Sequence, residues 1–193
     1  LIPSQVYTLG LVMNLSLFRE AGLMNPDGSP QFPETFDDVR TMAKTIHDKT
    51  GKAGFLFPTT QNGGGWNFTD LAWNFGGTFM KENGDKWESD FNQGTTDALQ
   101  WLKDMMWEDG SLPSTTLINQ EDAMKLVGTD QAAMAFAHPA QVNSLYTAYG
   151  MSRDNIGYAK MPAGPARHVT LMGGSFYAIA PQATLEQIDA AFK

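Results

Sequence analysis

The sequence has 193 residues and a formal net charge of −8, so it can form one substantial core or two small ones but lacks the basic surface that binds nucleic acid. It contains no cysteine, which excludes disulfides and thiolate chemistry and suits an exported bacterial protein. No apolar run approaches the length needed to cross a bilayer. The chain starts LIPSQVYTL, without an initiator Met or a signal peptide. We therefore expect a piece of a longer protein, with any targeting segment upstream.

Hydrophobic periodicity along the chain predicts strands that alternate with helices, which is typical of an α/β fold. The predicted strands cover residues 6–13, 54–58, 131–136, 156–160 and 173–180, and a turn at Asn83-Gly84 lies within an extended segment at 81–91. The predicted helices cover residues 14–21, 35–46, 69–75, 95–109, 120–127, 140–149 and 184–193.

Local signals set the predicted helix boundaries. Asn14, Thr35 and Thr184 are the predicted N-caps, and Thr35 with Asp38 resembles a capping box. Gly22 is the predicted left-handed terminator of the first helix.

Apolar spacing predicts which helix residues face the core. In the helix at 95–109, the inner stripe is predicted to be Leu99, Leu102 and Met106. We interpret the three tryptophans outside the segment at 61–77 as packing or surface residues, namely Trp87, Trp101 and Trp107.

The segment at 61–77, QNGGGWNFTDLAWNFGG, is the most distinctive stretch. Its three consecutive glycines predict a flexible loop that can approach a ligand closely. The aromatic ring of Trp66 suits the apolar face of a sugar ring, and the neighbouring amides of Gln61, Asn62 and Asn67 suit its hydroxyls. The alternative is a glycine turn that leads into an amphipathic helix with its aromatic side chains in the core.

An ordered series of segments resembles the family 1 extracellular solute-binding proteins of ABC importers, the group that includes the maltose-binding type. The series is VMNLSLFREAGL, PETFDDVRTMAKTI, GFLFP, a tryptophan-containing segment, FGGTFMKENGDKW, DALQWLKDMMWEDGSLP, GTDQAAMAFAHP, DNIGYAKMPAGP and GGSFYAIAP. The resemblance covers nearly the whole chain. Two positions depart from the family pattern: Phe36 stands where the family usually has Trp, and His138, in the sequence AHP, stands where the family often has a Gly-Pro-Trp turn.

This resemblance implies a single lobe of a two-lobe periplasmic-binding-protein-like fold of class II, with residues 1–193 forming the second lobe. The backbone would cross between lobes near 3–8 and 173–181. It also implies a receptor that holds a small-molecule ligand, a sugar or oligosaccharide, between this lobe and a missing first lobe, and delivers it to ABC permease subunits. Such receptors are extracytoplasmic, either periplasmic or anchored at the cell surface as lipoproteins.

The candidate ligand residues that the resemblance places in the cleft, together with Gly65 of the glycine run, are Tyr7, Asn62, Gly65, Trp66, His138, Gly173, Gly174, Ser175 and Tyr177. Several have a structural alternative. Trp66 suits a stacking platform or a core aromatic, and His138 suits a ligand contact or a satisfied loop histidine. The two glycines at 173–174 suit close approach of a ligand, or a bulge or hinge.

Other functional classes lack their residue patterns. His47, His138 and His168 have no metal-type spacing, and there is no nucleophile elbow, P-loop or dinucleotide fingerprint. Adjacent carboxylates fall at helix starts or exposed ends, where a solvated role accounts for them. We therefore expect no enzyme, no metal site and no cofactor. The remaining alternatives are a receptor of the same fold for a non-sugar solute and a protein-interaction module.

Overall fold

The computed structural model describes residues 2–114 and 117–192. Its strands are β1 (Ile2–Thr8), β2 (Gly10–Asn14), β3 (Met80–Asn83), β4 (Lys86–Ser89), β5 (Met134–Ala137), β6 (Ile156–Lys160) and β7 (Met172–Tyr177). Its helices are α1 (Leu15–Glu20), α2 (Phe36–Thr50), α3 (Gln61–Asn74), α4 (Gln93–Trp107), α5 (Gln120–Gly128), α6 (Pro139–Thr147) and α7 (Leu185–Ala191), with a 3-10 turn at Arg153–Asn155. This order confirms the α/β prediction, although the predicted end of the last helix at Lys193 lies outside the described residues.

β2 is the middle strand of a three-stranded antiparallel sheet in the order β5-β2-β6. All five of its residues are buried because helices cover both faces. Leu11 and Met13 join a core with α1, α2, α3 and α4, whereas Val12 joins a second core with α5 and α6. The alternation of side chains along one strand thus supplies both cores.

The predicted strand at 6–13 is two strands that separate at Leu9. β1 leaves the central sheet and pairs with β7 as an antiparallel ribbon, in which Tyr7 lies opposite Gly173. Only the apolar half, β2, is fully buried, whereas β1 is mostly exposed. The prediction of one continuous strand at 6–13 was therefore wrong.

The predicted strand at 54–58 lies beside β5 but is not a continuous strand. Ala53 and Leu56 form isolated parallel bridges to Ala132 and Ala135. Its three large apolar residues are nevertheless buried, as expected: Phe55, Leu56 and Phe57.

The predicted inner stripe of α4 is confirmed in part. Ala98, Trp101 and Met105 are buried in the core. The predicted Leu102 and Met106 pack against its edge, whereas Leu99 is 52% exposed. The centroid of the Trp101 ring lies 5.4 Å from that of Phe36, so this large aromatic side chain of α4 packs in the core.

The predictions for Trp87, Trp107 and the three N-caps are confirmed. Trp87, on the exposed β3–β4 hairpin, and Trp107, at the end of α4, are exposed. Asn14, Thr35 and Thr184 all accept hydrogen bonds from the first turns of their helices, and Thr35 forms the capping box.

The glycine run is helical, which corrects the predicted loop. α3 begins at Gln61 rather than near residue 69, so the three glycines form its first turn. A Cβ at Gly64 would lie 2.7 Å from the carbonyl carbon and oxygen of Thr59. Glycine is therefore used here for close backbone packing at a helix start rather than for flexibility.

Candidate functional site

A cleft of about 230 Å³ opens where the β1–β2 junction meets the first turns of α3, α5 and α6. Its walls contain Tyr7, Leu9, Asn62, Gly63, Trp66, Asn67, Gln120, His138 and Gln141. Four of the residues predicted from the sequence are therefore brought together although they lie far apart in the chain: Tyr7, Asn62, Trp66 and His138.

The first turns of three helices contribute side chains to this cleft, namely Asn62 from α3, Gln120 from α5 and Gln141 from α6. A second groove shares Gln120, His138 and Gln141 with the cleft and continues between α5 and α6. The combined surface is long, concave and rich in amide groups.

Tyr7 and His138 form one side of the cleft, with ring centroids 4.8 Å apart. Burial lowers the pKa of His138, so the neutral imidazole is favoured at neutral pH. The backbone N–H of His138 donates to Gln141 Oε1 at 3.0 Å, which fixes the start of α6. This side of the cleft is aromatic and uncharged.

Trp66 lies on α3, four residues after Asn62, so both side chains project from the same helical face. Its ring is half-buried, packs against the main core and also contributes to the cleft wall. Trp66 thus packs against the core and also has surface on the cleft, and its stacking on a sugar ring stays a prediction.

The floor of the cleft contains a chain of side-chain amides. Asn67 Nδ2 donates to Gln120 Oε1 at 3.0 Å, and Gln120 Nε2 donates to the carbonyl oxygen of Phe136 at 2.6 Å. The sequence singled out Asn67 as a possible hydroxyl partner but missed Gln120 and Gln141. The only local signal was that each lies in the first turn of a helix. Which helix starts meet in the folded chain cannot be seen in a local pattern.

The four predicted residues of β7 lie along the β1–β7 ribbon rather than in the cleft wall. A Cβ at Gly173 would overlap the ring of Tyr7, and one at Gly174 would lie 2.6 Å from the carbonyl oxygen of Gln5. Ser175 Oγ accepts from Gln5 Nε2 at 3.2 Å, and Tyr177 is 72% exposed. The glycines thus admit the Tyr7 ring and the partner strand, while the two hydroxyl residues lie farther out.

Gly65 and the two other histidines, His47 and His168, lie outside the cleft wall. Gly65 is exposed in the first turn of α3. His47 and His168 contact the carbonyl oxygens of Lys52 and Met161, far from His138. Within residues 2–114 and 117–192, no three His, Asp or Glu side chains are grouped in a way that could hold a metal ion.

Comparison with protein families identifies the chain. A model of the bacterial extracellular solute-binding proteins matches residues 2–192. The chain belongs to this family. This confirms the resemblance seen in the ordered sequence segments. Among curated proteins, no sequence matches the chain.

Solved structures of solute-binding proteins have the same fold. Maltose-bound T. maritima MalE3 aligns with a TM-score of 0.78 and 22% identity, over 98% of this chain and 47% of its own. The cyclic alpha-maltosyl-1,6-maltose binding protein of Arthrobacter globiformis aligns with a TM-score of 0.69 and 27% identity, over 89% and 41%. UgpB of Mycobacterium tuberculosis, in complex with glycerophosphocholine, aligns with a TM-score of 0.76 and 18% identity, over 99% and 45%.

The chain therefore spans less than half the length of these proteins and resembles one lobe of them. Among the described helices, none is both long and apolar enough to cross a membrane.

Proposed function

We propose that this chain is the second lobe of an extracytoplasmic carbohydrate receptor that delivers its ligand to an ABC importer. The ligand lies in the described cleft, between this lobe and a first lobe, and no chemistry is performed on it. The observation that carries the proposal is the convergence of Tyr7, Trp66 and His138 with four side-chain amides at one concave site. Aromatic surface beside amides matches a ring with an apolar face and polar hydroxyls.

The uncharged lining favours a sugar over an ionic solute. Among the described residues of the cleft wall there is no Asp, Glu, Lys or Arg, and burial favours the neutral form of His138. A charged ligand would lose hydration without gaining an ion pair, which is costly. A neutral polyhydroxy compound loses only hydrogen bonds that the amides can replace. The alternative is a receptor of the same fold for a non-sugar solute.

The β1–β7 ribbon supports the assignment of hinge crossings near 3–8 and 173–181. The ribbon exposes several large apolar side chains, namely Val6, Met172, Phe176 and Tyr177. Contiguous exposed apolar residues mark interaction surfaces, and a first lobe beside the ribbon would cover them. Closure of the two lobes around the ligand would then present the closed form to the permease subunits, outside the cytoplasm.

Tryptophan fluorescence of the intact two-lobe receptor tests the proposal. We expect a saturable change with maltose, laminaribiose or mannitol, and an affinity at least about tenfold weaker in Trp66→Ala, because that variant lacks the ring that contacts the sugar. Trp87→Ala is the matched control, since Trp87 is 63% exposed on the β3–β4 hairpin.

Two other outcomes have distinct meanings. A response to glycerophosphocholine and to no sugar would retain the receptor and reject the carbohydrate assignment. A response to none of these solutes would leave the protein-interaction alternative in its place.

A further inference from the structure

The cleft floor contains a hydrogen-bond acceptor that receives no hydrogen bond from the described residues. Asn67 is 1% exposed, and its Oδ1 atom is buried and unpaired. The same side chain contributes to the cleft wall beside Trp66 and Gln120. Nearly all buried polar atoms in folded proteins are hydrogen-bonded, so an exception inside a binding cleft indicates a group that awaits a partner.

The carbonyl oxygen of Phe136 fixes which atoms of Gln120 and Asn67 donate and which accept. The carbonyl oxygen of Phe136 can only accept, so Gln120 must turn Nε2 toward it, and the distance is 2.6 Å. Gln120 Oε1 then faces Asn67 and must receive a donor, which is Asn67 Nδ2 at 3.0 Å. Exchanging the two Asn67 atoms would bring two acceptors together. Asn67 Oδ1 is therefore an acceptor without a donor among the described residues, on a side chain that contributes to the cleft wall.

We infer that Asn67 Oδ1 accepts a hydrogen bond from one ligand hydroxyl and makes the cleft selective for a donor at that position. The inference rests on the proposed carbohydrate function. The adjacent Trp66 ring and the uncharged wall favour a sugar hydroxyl as the donor over an ammonium group. An analogue that lacks the hydroxyl, or carries a group that only accepts, leaves Oδ1 unpaired and binds weakly.

The experiment begins with wild-type intact receptor. Maltose, laminaribiose and mannitol are titrated calorimetrically, and the tightest of them is then replaced by its monodeoxy and deoxyfluoro analogues, one position at a time. At one position, we expect both analogues to bind at least about tenfold more weakly than the parent sugar. Fluorine keeps an acceptor of similar size but has no proton to donate, so this pair separates donation from acceptance.

The variant Asn67→Ala tests which sugar hydroxyl donates to Asn67, because it removes the Oδ1 acceptor. It also leaves room for a water molecule beside Gln120 Oε1. We expect the ratio of parent to deoxy affinity to fall to about one at that position and to stay unchanged at the others. Asn62→Ala is the matched control, since Asn62 is an exposed amide of the same cleft and of the same helix. In Asn62→Ala, the ratio of parent to deoxy affinity at the sugar position assigned to Asn67 should equal the wild-type ratio.

The outcomes separate this inference from the proposed function. If the sugars bind but every ratio is the same in wild type and Asn67→Ala, the inference is wrong and the carbohydrate function stands. If Asn67→Ala does not fold, the wild-type series decides alone, because deoxyfluoro analogues that all bind like the parent would exclude a hydroxyl donor to Oδ1. If no probe binds wild type, the carbohydrate function and the inference fail together.

Discussion

Asp70 is a buried carboxylate of α3 that holds the segment leading into β7. Its Oδ1 accepts from the backbone N–H of Leu171 at 2.9 Å, and its Oδ2 lies 3.3 Å from Thr170 Oγ1. Thr170 Oγ1 also lies 3.1 Å from the carbonyl oxygen of Leu9, at the β1–β2 junction. One residue thus joins the cleft helix to both strands of the ribbon.

Burial raises the pKa of Asp70 from 3.8 to about 6, against the lowering effect of its hydrogen bonds. The folded pKa is above the unfolded value, so the folded state binds more protons between pH 3.8 and 6. The free energy of unfolding should therefore fall as pH rises through this window, and remain at its lower value above it. The contribution is about 3 kcal/mol, from about 1.4 kcal/mol for each pKa unit.

The variant Asp70→Asn should lose this pH dependence. We expect its stability relative to wild type to increase by about 3 kcal/mol between pH 3.5 and pH 7.5, because it never buries a charge. Urea unfolding of both proteins across this range measures the difference. Parallel pH profiles would mean that Asp70 titrates normally and that its burial is not costly.

At the residue scale, the sequence predicts those features that depend on near neighbours. The caps at Asn14, Thr35 and Thr184 were found because each partner lies within one helical turn. The contact from Asn67 to Gln120 spans 53 positions and that from Asp70 to Leu171 spans 101. No local pattern contains either pair, so the amide chain and the buried carboxylate emerge only when the helices are assembled.

At the scale of elements, α3 shows how tertiary packing overrides local propensity. Glycine disfavours a helix by about 1 kcal/mol per residue relative to alanine, so the run at 63–65 was predicted as a loop. The helix includes it because Gly64 packs directly on the Thr59 backbone. Tertiary packing also explains why the strand predicted at 6–13 is two strands, since only its second half, β2, packs in the core.

Two alanine substitutions one residue apart test this explanation. Gly65→Ala should stabilise the protein by about 0.5–1 kcal/mol, because nothing lies within 4 Å of the added Cβ and alanine favours the helix. Gly64→Ala should destabilise it by about 1–3 kcal/mol, because its Cβ would overlap Thr59. Thermal unfolding of the pair gives the result, and equal effects at the two positions would contradict close packing at Gly64.

At the scale of the whole molecule, the order of segments predicted the α/β lobe, because a series of weak similarities in a fixed order specifies a family. It could not predict how the amides of three helices meet. The cleft lies at the end of the β1–β7 ribbon that is next to β2, where Tyr7 pairs with Gly173. Under the proposed function, a ligand there would also contact the first lobe, so this lobe would supply only part of its contacts.

The isolated chain should therefore bind the receptor's sugar much more weakly than the intact two-lobe protein does. Losing the contacts of one lobe removes several kcal/mol of binding free energy, and each 1.4 kcal/mol is about a tenfold change in Kd. We expect the affinity to be reduced at least about 100-fold, and measurable by ligand-observed NMR at millimolar sugar. Trp66→Ala in the isolated chain is the control, since residual binding at the described cleft should be lost with that ring. Binding by the isolated chain at about micromolar Kd or tighter would mean that the cleft is complete within one lobe, and closure of two lobes would then be unnecessary for recognition.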